Sequence, residues 1–156
     1  SYRSKISGPL LDRIDIHVEV PAAKYQELSS NLPAESSAQI KERVNKARAI
    51  QREKFSAEST VGGGGTSALG RGGKDEGILC NAQMSHKQVR KFCILDKEES
   101  ELLKMAMSEL NFSARAYDKI LKVSRTIADL AASEQIKTEH LSEAIQYRSL
   151  DRDFFI

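Results

Sequence analysis

Apolar residues recur at every second position from Ile14 to Val20, placing Ile14, Ile16, Val18 and Val20 on one face and Asp15, His17 and Glu19 on the other. Period two of this kind predicts a β-strand with one buried face, and Pro21 ends it. Ahead of it, Ser7-Gly8-Pro9 suits the start of a short helical turn, because proline fits the first helical position; Leu10 and Leu11 then face inward. Arg13 stands where helix gives way to strand. Its plain reading is a surface ion pair with Asp12 or Asp15.

After Pro21, residues 22–32 suit a short helix or turn carrying Tyr25 and Leu28, interrupted by Pro33. The period then becomes helical. Ser36 with Gln39 forms a capping box, and Ile40, Val44, Ala47 and Gln51 share a narrow face of a helix expected over residues 35–55. From residue 56 to 77 the composition turns to glycine, serine and scattered charge, with the run Gly62-Gly63-Gly64-Gly65, which reads as a flexible loop.

Beyond that loop every segment is helical in pattern. Ser85 caps a short helix through Phe92 and Cys93. Asp96 with Glu99 makes a second capping box, opening a helix whose buried side is Leu102, Leu103, Ala106, Met107 and Leu110. Asn111-Phe112-Ser113 is a turn, and Ser113 caps the longest amphipathic run, with Tyr117, Ile120, Leu121, Ser124, Ile127, Ala128 and Ala131 at helical spacing. Thr138 caps a last helix carrying Leu141, Ala144 and Ile145. Four helices with short connections can bury these stripes only against one another, so residues 78–150 should form a small bundle, with 151–156 as a tail.

Composition narrows the picture modestly. The 156 residues, 40% of them hydrophobic, suffice for one modest domain or two small ones. A net charge of +2 makes no case for nucleic acid or membrane by itself, so any such case rests on local clustering. No apolar run approaches the roughly 20 residues that span a bilayer, and the N-terminus lacks a signal-peptide plan. A start at Ser1 without methionine suggests a piece of a longer protein. Cys80 and Cys93 form neither a disulfide framework nor a close ligand pair, which fits a reducing cytoplasm. Asn111-Phe112-Ser113 matches a glycosylation acceptor, but nothing else points to secretion.

The one basic concentration lies on the helix after Ser36, where Lys41, Arg43, Lys46, Arg48, Arg52 and Lys54 face only Glu42 and Glu53. It is either a solvated face with i to i+4 pairs or a contact for nucleic acid or another subunit, with Lys41, Arg48 and Arg52 the candidate nucleic-acid ligands. Two phosphate-loop patterns fail. Gly73-Lys74 precedes Asp75 and has Ala68 where a Walker A motif needs glycine, and Gly63-Gly64-Gly65-Thr66-Ser67-Ala68 follows no apolar strand. His17, His86 and His140 show no ligand spacing, so no metal site is expected. Arg125 reads as a surface or inter-helix residue.

Four ordered blocks go beyond periodicity: residues 2–20, spelled YRSKISGPLLDRIDIHVEV; Asn81-Ala82-Gln83-Met84; residues 113–130, spelled SARAYDKILKVSRTIADL; and residues 140–148, spelled HLSEAIQYR. Together they closely resemble the magnesium-chelatase-like AAA+ ATPases of the YifB and ComM type. The resemblance implies a mainly α chain: the C-terminal end of an AAA+ α/β core in residues 1–34, a short helix plus strand, followed by a helical lid bundle. It implies that the Walker A, Walker B and first-sensor segments precede Ser1. By the same resemblance Arg13, in the L-L-D-R-I-D word, is an arginine finger acting on a neighbouring subunit's ATP, and Arg115, in the S-A-R-A-Y word, is the second sensor at the phosphates. A forked, permanently charged guanidinium suits charge developing on a γ-phosphate.

ATP and magnesium are thus expected in the full-length protein and neither on this segment alone, which should not hydrolyse ATP. Expected partners are other subunits in a ring and DNA, with no membrane. The implied function is a cytoplasmic, ring-forming DNA motor of the branch-migration or competence type. The alternatives are a non-enzymatic helical nucleic-acid-binding module and a subunit of a magnesium chelatase.

Overall fold

The computed structural model describes residues 10, 13–22, 34–59 and 78–148. Among them are five α-helices: α1 (Ser37–Ser59), α2 (His86–Phe92), α3 (Lys97–Glu109), α4 (Ala114–Leu130) and α5 (Thr138–Gln146), with a 3-10 turn at Asn81–Gln83 between α1 and α2. The architecture is mainly helical, as a lid bundle requires. The helix or turn expected to carry Tyr25 and Leu28, the glycine run and the tail lie outside the described residues, as does Leu11.

Helix α4 is the centre. It packs against α5, α1, the 3-10 turn and α2, while α3 packs on α5. Its Ile120 and Ala128 are fully buried, as is Leu141 of α5, and Ala116, Leu121 and Ala144 lie beside them. Full burial of an Ile or Leu side chain contributes about 1.5–3 kcal/mol, so this seam carries much of the bundle's hydrophobic stabilisation. Phe55 of α1 meets Phe92 of α2 edge-on, with ring centroids 5.6 Å apart, closing the core on that side.

Local chemistry sets several helix starts as expected. At α1, Gln39 Oε1 accepts from the Ser36 amide at 2.9 Å while Ser36 Oγ accepts from the Gln39 amide at 3.3 Å. Ser85 and Gln88 make the same reciprocal box at α2, and Ser113 Oγ accepts from the Ala116 amide at 3.1 Å at α4. Asn111 takes the left-handed conformation, φ 49°, in the turn after α3.

Other expectations are corrected. Asp96 does precede α3, but its side chain makes no capping bond, and Thr138 is the first residue of α5 rather than its cap. The cause is shared: Thr138 Oγ1 donates to Glu99 Oε1 at 3.0 Å, tying α3 to α5, and His140 Nδ1 instead accepts the Lys137 amide at 3.0 Å. Helix α1 runs on to Ser59, since Ser56-Ala57-Glu58-Ser59 holds no glycine or proline to stop it. Only its second half docks: Ala47, Gln51 and Phe55 are buried, whereas Ile40 and Val44 are over 40% exposed.

The segment from residue 14 to 20 forms no strand among the described residues, because a strand's backbone groups need a neighbouring strand and none is among them. Its burial is also inverted. Ile14, Ile16, Val18 and Val20 are exposed, while His17 from the expected polar face is buried; Leu10, expected inside, is 49% exposed.

Candidate functional site

Arg13 sits in a turn closed by its amide donating to the Leu10 carbonyl at 3.0 Å, with its side chain at the surface. Its carbonyl faces the bundle, where it accepts from the Lys119 ammonium, which also pairs with the Asp15 carboxylate. The Arg13 side chain is thus exposed on a backbone that is anchored to α4. Two further bonds continue the attachment. Arg148 donates from Nη1 to the Ile14 carbonyl, and the His17 amide donates to the Tyr147 carbonyl at 2.8 Å. Arg148 is 1% exposed, so this donor is delivered from inside the bundle, at the end of α5.

Arg115 is the second residue of α4 and is exposed. Its backbone position is fixed by the Ser113 cap, and residues 115 and 119 lie one turn apart on one helix face. Lys119 thereby brings the backbone of Arg13 to the same N-terminal half of α4 that carries Arg115. Both residues are exposed, and a guanidinium so placed can present positive charge to a phosphate.

The basic helix resolves into three populations. Arg43 pairs with Glu35 at 2.8 Å and Lys46 with Glu42 at 2.8 Å, the latter holding the Glu42 carboxyl below its usual range through hydrogen bond and charge. Lys54 turns inward. Lys41, Arg48 and Arg52 are exposed, and their i, i+7, i+11 spacing puts them in one line along α1.

Sequence reasoning missed a buried charged cluster. Asp129, 1% exposed, accepts from Lys54 Nζ at 3.1 Å on each oxygen, from Asn81 Nδ2 at 2.8 Å and from Arg125 Nε at 3.0 Å. Arg125, expected at the surface or between helices, is 4% exposed; it also donates to the carbonyls of Ser133 and Glu134. Those carbonyls are presented by the turn after α4, where Ala132 adopts φ 52°. Burial, the larger effect, lowers the Lys54 pKa although Asp129 opposes it; burial likewise pushes the neighbouring Cys93 thiol up to about 11. Lys54, Arg125 and Asp129 form one wall of a cavity of about 470 Å³ that also touches Ile50, Phe92 and Ile136. The cluster fastens α1, the 3-10 turn and the α4–α5 connection together. The i to i+4 spacing of Arg125 and Asp129 was the one signal available for it.

His86 is mostly exposed and lies 3.4 Å from Asp118, while His17 and His140 are buried. Among the described residues no group of three or more His, Cys, Asp or Glu side chains could hold a metal ion, and no helix is long and apolar enough to cross a membrane.

The chain has relatives among known proteins. The family described as "Magnesium chelatase, subunit ChlI C-terminal" matches residues 34–148, and "Magnesium chelatase, subunit ChlI" matches residues 1–28. The chain is similar to competence protein ComM of Haemophilus influenzae, 38% identical over 152 residues that make up 97% of the chain and 26% of ComM. It is also similar to the uncharacterized protein YifB of Escherichia coli, 36% identical over the same shares, and to YifB of Salmonella typhimurium, 33% identical over 154 residues. The chain spans about a quarter of the length of these curated relatives.

Proposed function

The chain belongs to the magnesium chelatase ChlI family, in its YifB and ComM type, and from that premise we propose that it is the lid-bearing portion of a ring-forming, ATP-driven motor acting on DNA. Arg13 is the arginine finger, completing the nucleotide site of the next subunit. Arg115 is the second sensor, reading the phosphates of bound ATP. The observation that carries this reading is the placement of both residues at the N-terminal half of α4, with the Arg13 backbone gripped by Lys119 and its side chain exposed.

The exposed guanidiniums fit ATP, because phosphate oxygens accept from a planar fork of donors that stays charged at every working pH. Bound ATP supplies the phosphoryl group whose transfer releases energy. Arg13 stabilises the charge that spreads over the γ-phosphate oxygens, a contribution of about 10³–10⁵ in rate where such fingers have been measured in other enzymes. Arg115 ties phosphate contact to the position of α4 and hence of the bundle. Magnesium would be held by residues elsewhere in the full-length protein, which we place in the cytoplasm. The Haemophilus influenzae relative is named a competence protein, and we extend competence-type DNA handling to this chain. In the full-length protein, Arg13→Ala should abolish turnover while leaving ATP binding largely intact; loss of binding instead refutes the finger assignment.

One observation favours a second reading, in which α1 itself binds nucleic acid. Lys41, Arg48 and Arg52 line one exposed face of a helix whose other surface cations are partnered with Glu35 and Glu42. DNA binding through these three residues would operate with or without ATP turnover.

A further inference from the structure

We propose that Lys119 is a positioning residue that makes the finger-bearing segment move with the lid, so that Arg115 sets the placement of Arg13 through one turn of α4. The inference rests on the finger reading above and deepens it.

Four bonds anchor residues 13–17 to the lid. Lys119 takes the Arg13 carbonyl and the Asp15 carboxylate, Arg148 takes the Ile14 carbonyl, and Tyr147 receives the His17 amide. The contacts fall on α4 and on the turn that directly follows α5, and these two helices pack along each other, so they travel as one body. No regular secondary structure is assigned to residues 14–20, so two side-chain donors, Lys119 and Arg148, share in holding the segment with the backbone bond to Tyr147. Lys119 is the donor nearest Arg13, and its side chain is only 20% exposed although it comes from the surface of α4.

Lys119 and Arg115 share one helix face, four residues apart. A shift of α4 driven by phosphate contact at Arg115 is thus transmitted to the Arg13 carbonyl by a charged donor, without passing through the flexible side chain of Arg13 itself. Misplacement of a reacting or stabilising group by about 1 Å can cost about 10²-fold in rate, so the grip need not fail completely to matter.

The test is ATP turnover by the full-length protein carrying Lys119→Met, Lys119→Arg or Arg13→Ala, with thermal unfolding followed in parallel. Lys119→Met should lower kcat about tenfold to a hundredfold with the ATP KM within about twofold. Lys119→Arg should recover most of that loss. Wild-type kcat in a folded Lys119→Met protein, or no recovery in a folded Lys119→Arg protein, overturns the positioning role while leaving the finger intact. Wild-type turnover by Arg13→Ala overturns the finger reading itself.

Discussion

The ammonium of Lys119 donates to the carbonyl oxygen of Arg13, across 106 positions of sequence. This contact joins the two blocks of the chain that carry Arg13 and Arg115. It holds the Arg13 backbone to Lys119, which lies one helical turn along α4 from Arg115. A salt bridge between exposed groups would be worth little. Asp15 is 56% exposed, so the contact rests on Lys119, 20% exposed, serving two acceptors at once.

Arg115 should bind phosphate. A hydrogen bond to a charged group contributes about 1.5–3 kcal/mol, so Arg115→Ala in the full-length protein is expected to weaken ATP binding roughly tenfold to a hundredfold, read by titration with a fluorescent nucleotide. Arg115→Lys should fall between, since it keeps the charge but loses the fork. Unchanged affinity in the alanine variant would contradict the second-sensor role.

The buried cluster should behave as one unit in stability. Asp129→Ala leaves Arg125 and the half-buried Lys54 without their shared counter-charge, and removing one partner of a buried pair costs about 3–5 kcal/mol. Urea unfolding of this chain checks it. The triple replacement Lys54→Met, Arg125→Met and Asp129→Leu should cost clearly less than three independent losses, because no unpaired charge is left behind. A loss below about 1 kcal/mol in Asp129→Ala would mean that the cluster does not fasten the bundle.

These two sites show how legible the sequence was. The caps at Ser36, Ser85 and Ser113 could be read because their partners lie within one turn. The expected roles of Glu99 and Thr138 failed for one reason: each found the other across 39 residues, and a local rule cannot see such a partner. Lys54 was counted among the surface cations for the same reason, since Asp129 lies 75 residues away. Arg13 and Arg115 were legible only as words of a family. Neither spacing nor periodicity could supply Lys119, whose importance arises from where the chain folds back. The alternation from Ile14 to Val20 was a true pattern whose burial depends on a neighbouring strand, and the bundle provides none among the described residues.

Cys93 should make the fold sensitive to alkali. Its folded pKa is raised from 9.0 to about 11, so between these values the unfolded chain has released the proton that the folded chain still holds. Stability is therefore complete below about pH 9 and falls as pH rises toward about 11, by up to about 3 kcal/mol. The lowered pKa of Lys54 acts in the opposite direction, adding stability as pH rises toward 10.5. Comparing this chain with Cys93→Ala isolates the thiol: the variant should lose the fall above pH 9. Parallel pH profiles would show that the thiol is not buried in solution.

The line of Lys41, Arg48 and Arg52 should reveal itself through salt. If these residues contact phosphates of duplex DNA, replacing all three by alanine lowers the slope of log affinity against log salt by about 2.7, at about 0.9 per contact. The measurement is fluorescence anisotropy with the full-length protein at several salt concentrations. An unchanged slope would remove α1 from the DNA contact.

The central claim is that Arg13 acts on a neighbour's ATP, and mixing subunits tests it most directly. Full-length Arg13→Ala subunits keep their own nucleotide site, and subunits disabled in nucleotide binding keep their Arg13. Each preparation alone should be inactive. Mixed rings, verified by co-purification on differing tags, should regain ATP turnover, because an intact Arg13 can then meet an intact nucleotide site across an interface. Mixed rings that stay as inactive as either parent would contradict the account.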